Sequence, residues 1–123
     1  MKDYKTIVLK IGSALISSDK NISDKLIKSL TAQINDFIKK GINFVIVTSG
    51  AISQGQKILN INQKPIELEF LQALAAIGQQ QLMGMYERSF RDYNLLTAQV
   101  LLTHADMNDM QRHLNAKATI KKI

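Results

Sequence analysis

Two short apolar runs, each closed at a glycine and separated by one amphipathic stretch, constrain this chain more than any other feature. Residues 6–11 read Thr-Ile-Val-Leu-Lys-Ile and stop at Gly12. Residues 42–48 read Ile-Asn-Phe-Val-Ile-Val-Thr and stop at Ser49-Gly50. Runs this short and rich in β-branched residues suit strands buried on both faces, as parallel sheets require. Between them, Leu26, Ile27, Leu30, Ile34, Phe37 and Ile38 recur at the three- and four-residue spacing of one helix face. Ser23 stands where a cap would start that helix, and Gly41 where its end would be. Strand, helix and strand in this length predict a βαβ unit, with two parallel strands and a right-handed crossover.

The remainder extends the same scheme. Residues 51–59 predict a short helix, and the polar stretch 60–65 a turn carrying the only proline, Pro65. Residues 67–93 are helical in pattern but contain Gly78 and Gly84, which predicts two helices or one bent helix. Residues 95–103 offer a third apolar strand centred on Val100, Leu101 and Leu102. Asp106 or Asn108 is expected to cap a last helix. The class is α/β: an open, mainly parallel sheet with helices on both faces, a three-layer sandwich. Three strands make a thin doubly wound sheet, so a further βα unit is expected to belong to the complete fold.

Composition removes several kinds of chemistry. The absence of cysteine excludes disulfides, thiolate metal sites and cysteine nucleophiles. No apolar run approaches the ~20 residues of a membrane span. Met1 to Lys5 lead into only four apolar residues, too few for the core of a signal peptide. A cytoplasmic protein with no membrane partner is expected. The formal charge of +6 would suit a polyanion. The lysines are scattered, however, and three arginines with seven aromatic residues supply base readout and stacking poorly. No nucleic-acid partner is expected.

Lys10 is the most unusual residue by position. Inside an apolar strand, an uncompensated buried ammonium is strongly unfavourable. Either it meets an anion, or it snorkels from the strand end to solvent. Gly12-Ser13 follow at once, and a glycine-containing turn lets backbone N–H groups approach a phosphate. A second candidate is Ser49, Gly50 and Ala51, between a strand end and a helix start, where free N–H groups and the helix dipole favour anions. Ser49 as a simple helix cap is the competing reading. Both loops lie at the carboxyl ends of strands, where open α/β sheets bind ligands. A basic group beside two anion-accepting loops suggests phosphate transfer between anionic substrates. His104 and His113 have no plausible ligand set, and Asp106 and Asp109 are explained more simply as helix caps than as magnesium ligands. No resident metal site is expected.

These segments resemble a known family. Val8-Leu9-Lys10-Ile11-Gly12-Ser13 and Val45-Ile46-Val47-Thr48-Ser49-Gly50-Ala51-Ile52 are similar to the opening of the amino acid kinase family. Gln72 to Gln79, Gln99 to Thr103 with Asp106, and Leu114-Asn115-Ala116 with Thr119 point to the branch whose acceptor is L-glutamate. The resemblance implies ATP-dependent phosphorylation of L-glutamate to L-glutamyl 5-phosphate, opening proline synthesis, with ATP and Mg2+ as co-substrate. It implies that Lys10 contacts the transferring phosphate as the catalytic lysine, that Gly12 and Ser13 cradle it, and that Ser49, Gly50 and Ala51 bind glutamate. It further implies homo-oligomers through the helical region 67–93, where Ala73, Ala75, Ala76 and Gly78 are small. Ala14 stands where a second serine or threonine is usual, and Lys117 where arginine is usual. Residues 1–123 would form the N-terminal, glutamate- and phosphate-side half of such a domain, inactive without a nucleotide-binding half. A sister kinase for acetylglutamate, carbamate or aspartate, and a non-catalytic basic binding module, are the alternatives.

Overall fold

A computed structural model describes residues 5–17, 20–63 and 65–123. Residues 1–4, in the N-terminal stretch read above as unlike a signal peptide, and residue 64 of the turn at 60–65 lie outside the described residues. In chain order the elements are β1 (Thr6–Ile11), α1 (Ser13–Ser17), α2 (Lys20–Ile38), β2 (Asn43–Thr48), α3 (Ala51–Ile58), α4 (Leu68–Arg91), α5 (His104–Asn108) and α6 (Met110–Ile120).

β1 and β2 pair in parallel, with Thr6 opposite Asn43 and Ile11 opposite Thr48. The crossover between them is α2, as the apolar spacing predicts. Parallel partners share a face, so the register sorts the sheet into two sides. Leu9, Ile11, Phe44 and Ile46 join the core with Ile27 and Ile34 of α2 and Leu82, Met85, Tyr86 and Phe90 of α4. Each of these large side chains, when fully buried, contributes about 2 kcal/mol. Val8 and Val47 lie on the other side, 65% and 48% exposed. The expectation of strands buried on both faces is therefore corrected: among the described residues, helices cover one face only. The apolar character of both faces is still written in the strands.

Three boundary expectations also change. Ser23 is not the cap of α2; it lies in the second turn and is buried, because the helix begins at Lys20. Of the two alternatives for residues 67–93, the structure has the single helix and not the pair, since α4 runs unbroken for 24 residues through both glycines. Residues 95–103 make no strand. A strand needs a neighbour for its N–H and C=O groups, and none of the described residues offers one, so Leu96 stands fully exposed.

The last helical region is two helices rather than one. Thr103 caps α5 in a reciprocal box: its hydroxyl accepts from the Asp106 N–H, and its own N–H donates to the Asp106 carboxylate at 2.7 Å. Asp109, not Asp106 or Asn108, caps α6 by accepting from the Arg112 N–H at 2.9 Å. Neither helix contains a buried residue.

α3 and α4 pack backbone against backbone. A Cβ on Gly78 would lie 1.8 Å from the Ala51 carbonyl oxygen, and one on Gly55 would lie 2.1 Å from that of Leu74. Only hydrogen fits at these two crossings. Gly78, predicted to interrupt a helix and to face a partner subunit, is instead turned inward and seats α4 on the first residue of α3.

Candidate active site

Parallel pairing brings both predicted loops to one edge. Lys10 is opposite Val47 and Ile11 opposite Thr48, so Gly12 and Ser49 leave the sheet side by side at the carboxyl ends. The Ser49 N–H donates to the Ile11 carbonyl at 3.3 Å, extending the pairing one residue beyond the strands. From strand spacing and rise, the Lys10 and Ser49 backbones are about 8 Å apart.

Each loop turns directly into a helix whose N-terminus starts at this edge. After Gly12 the chain enters α1, and a side chain at Gly12 would meet nothing within 4 Å, so the backbone there is open to an approaching group. After Ser49 the chain enters α3 through Gly50, whose φ of 120° lies in the left-handed region. Gly50 is required on a second count, because a Cβ there would sit 3.1 Å from Cγ2 of the fully buried Ile16 in α1. Gly50 itself is the residue before α3, and no side chain caps that helix. The competing reading of Ser49 as a helix cap is thereby removed. Its side chain is exposed at the edge, next to the open N–H groups of the first turn.

Lys10 extends from the uncovered face of β1 and is exposed, like Val8 before it. The reason for singling it out, an ammonium trapped in an apolar strand, does not hold in this structure. What remains is its place: the last residue of its face before the Gly12 turn, beside Val47 and toward the edge that carries Ser49.

Behind the edge, three contacts fix the loops, and sequence reasoning found none of them. The Thr48 and Tyr86 hydroxyls are 3.0 Å apart, joining the end of β2 to α4. Burial pushes the Tyr86 phenol up, against the opposing effect of that hydrogen bond. The Gln54 side-chain amide, in α3, donates to the Ile16 carbonyl of α1 at 3.0 Å. Gly78 receives the Ala51 carbonyl, as described above. The residues joined by the first two contacts are 38 apart in sequence, so no local pattern reveals them. Asp106 and Asp109 act as caps, which is the simpler of the two roles considered for them. Asp106 is held below the usual carboxylate range by the Thr103 hydroxyl, then by the Thr103 N–H, with a further contribution from Arg112.

The profile of the amino acid kinase family matches residues 5–123, nearly the whole chain. The chain belongs to that family. Among individual relatives, the glutamate 5-kinase of Janthinobacterium sp. (strain Marseille) is 40% identical over 121 residues, covering 98% of this chain and 32% of its own length. The glutamate 5-kinase of Burkholderia vietnamiensis (strain G4 / LMG 22486) is 43% identical over 119 residues, covering 96% of this chain and 32% of its own. The chain thus spans about a third of the length of the curated relatives it matches. The edge holds a lysine and two loops, each running directly into a helix.

Proposed function

We propose that this chain is the N-terminal, glutamate- and phosphate-side half of the kinase domain of a glutamate 5-kinase, transferring phosphate from ATP to the side-chain carboxylate of L-glutamate in the first step of proline synthesis. The observation that carries this reading is the similarity to glutamate 5-kinases at 40–43% identity across 96–98% of the chain. The convergence of two anion-accepting loops at one sheet edge supports it.

In this reading the Lys10 ammonium lies against the transferring phosphoryl group and offsets charge as the bridging bond breaks. Phosphoryl transfer depends mainly on positioning and on electrostatic stabilisation, which is what a lysine at an open edge supplies. Gly12 and Ser13 line the phosphate, with no Cβ at Gly12 to hold it away. Ser49, Gly50 and Ala51 receive glutamate through the Ser49 hydroxyl and the free N–H groups of the first turn of α3. The acceptor carboxylate oxygen attacks phosphorus, the phosphorus–oxygen bond to the nucleoside diphosphate breaks, and an acyl phosphate forms. Mg2+ enters bound to the nucleotide. Among the described residues no group of three acidic or imidazole side chains could hold a metal, and no step is assigned to the ion.

The nucleotide-binding half lies outside residues 1–123 in this reading, and the segment alone is inactive. A cytoplasmic location accords with a biosynthetic role, and no helix among the described residues is long and apolar enough to cross a membrane. The homo-oligomer contact falls on the outward stripe of α4, where Ala73, Ala76 and Ile77 are exposed.

The direct test is to trap the acyl phosphate with hydroxylamine while offering the full-length kinase ATP and each of glutamate, acetylglutamate, carbamate and aspartate. Hydroxamate formed with glutamate alone is the expected result. Preference for another acceptor, or no ATP-dependent product with any, would reject the assignment.

A further inference from the structure

The two loops at the sheet edge are held to each other through one residue of α1. Ile16 is fully buried, and its side chain lies directly under Gly50, at the start of α3. Its carbonyl, near the end of a five-residue helix, has no partner within that helix. It accepts instead from the Gln54 amide at 3.0 Å. Gln54 is itself 95% buried, at 5% exposure, one turn into α3. A buried carbonyl left without a donor is costly, so this bond holds the end of α1 against α3.

From these contacts we propose that Gln54 is a positioning residue: by donating to the Ile16 carbonyl, it fixes α1 against α3 and sets the separation between the Gly12-Ser13 loop and the loop of Ser49, Gly50 and Ala51. Gln54 touches neither proposed substrate. It acts on the register between them. Transfer between two bound groups depends steeply on their separation, so loosening the tether should lower turnover more than it weakens either binding site. That kinetic consequence rests on the glutamate kinase reading; the tether does not.

The test has a structural arm and a kinetic arm. Gln54→Met keeps the length and bulk but removes the donor. Gln54→Asn keeps the donor but withdraws it by one methylene, and serves if the Met variant folds poorly. The control is Ser89→Ala, which deletes another buried hydrogen bond, from the Ser89 hydroxyl to Thr31 Oγ1 between α4 and α2. Hydrogen exchange without substrates should rise by about fivefold, the factor set by one buried hydrogen bond, in peptides spanning 12–17 and 49–52 of the Gln54 variants. Exchange in 79–90 should stay unchanged. Ser89→Ala should spare the two loops. In the full-length kinase, kcat of the Gln54 variants should fall more than KM for glutamate rises, while Ser89→Ala leaves both near wild type. Unchanged exchange at 12–17, or equal loosening of the loops by Ser89→Ala, would overturn the proposal. An inactive wild-type kinase would instead reject the functional reading and leave the exchange result to decide the tether.

Discussion

Gly78→Ala and Gly84→Ala make the same chemical change six positions apart in one helix, and the structure assigns them opposite signs. At Gly78 the new methyl would lie 1.8 Å from the Ala51 carbonyl oxygen and 2.4 Å from the Gly55 amide nitrogen. Both are backbone atoms of α3 and cannot rotate aside. Restoring ordinary contact requires the two helices to separate by roughly 1.6 Å in a close-packed interior. Overpacking against fixed atoms costs roughly 3 kcal/mol. Replacing a helical glycine by alanine returns about 1 kcal/mol. The net loss is then about 2 kcal/mol. At Gly84 the methyl would meet only the end of the Arg88 side chain, at 3.0 Å, and that side chain is exposed and free to move. There the propensity gain should survive, at up to about 1 kcal/mol. With a Tm response of about 4 °C per kcal/mol for a domain of this size, Gly78→Ala should melt about 8 °C lower and Gly84→Ala up to about 4 °C higher. Thermal melts followed by circular dichroism, with urea titrations for ΔG, measure both. Similar melting temperatures for the two variants would refute the claim that Gly78 is a seat for α3 rather than a tolerated break.

Lys10→Met in the full-length kinase should reduce kcat by about two orders of magnitude with a smaller rise in KM for glutamate, because the ammonium is needed where charge develops; unchanged turnover in steady-state assays would remove the catalytic assignment. Ser49→Ala should do the reverse, raising KM for glutamate while ATP binding holds, and a loss confined to ATP would mean that the two loops exchange roles. Tyr86→Phe deletes the partly buried bond to Thr48 and should cost about 1 kcal/mol in urea denaturation; a neutral result would show that the hydroxyl pair contributes nothing. The Asp106 box should be acid-sensitive in one direction. Its carboxyl is lowered on folding, so its support of α5 is present above the ordinary carboxylate range and is lost only as pH falls through the lowered value. An NMR titration should place Asp106 below unstructured aspartate, and a midpoint at or above the ordinary value would contradict the box.

The strand–helix–strand core was legible in the sequence because its determinants are short-range. β-branched runs, a period of three and four, and glycines at the strand ends each act over a few residues. Parallel pairing then follows from the length of the crossover. The same information placed Gly12 and Ser49 at one edge, since the carboxyl ends of parallel strands coincide whenever a helix joins them. Other features depended on which surfaces meet. Lys10 reads as buried from its neighbours, yet it is exposed because no helix among the described residues covers its face. Residues 95–103 read as a strand by composition but find no neighbour to pair with. Gly78 reads as a helix break, and only the approach of Ala51 turns it into a contact that no other residue could make. Gln54 and Tyr86 carry no local signal at all, because their partners lie 38 residues away. Local sequence determined where the loops emerge; tertiary packing decided how firmly they are held, since that hold is made by side chains and backbone from elements distant along the chain.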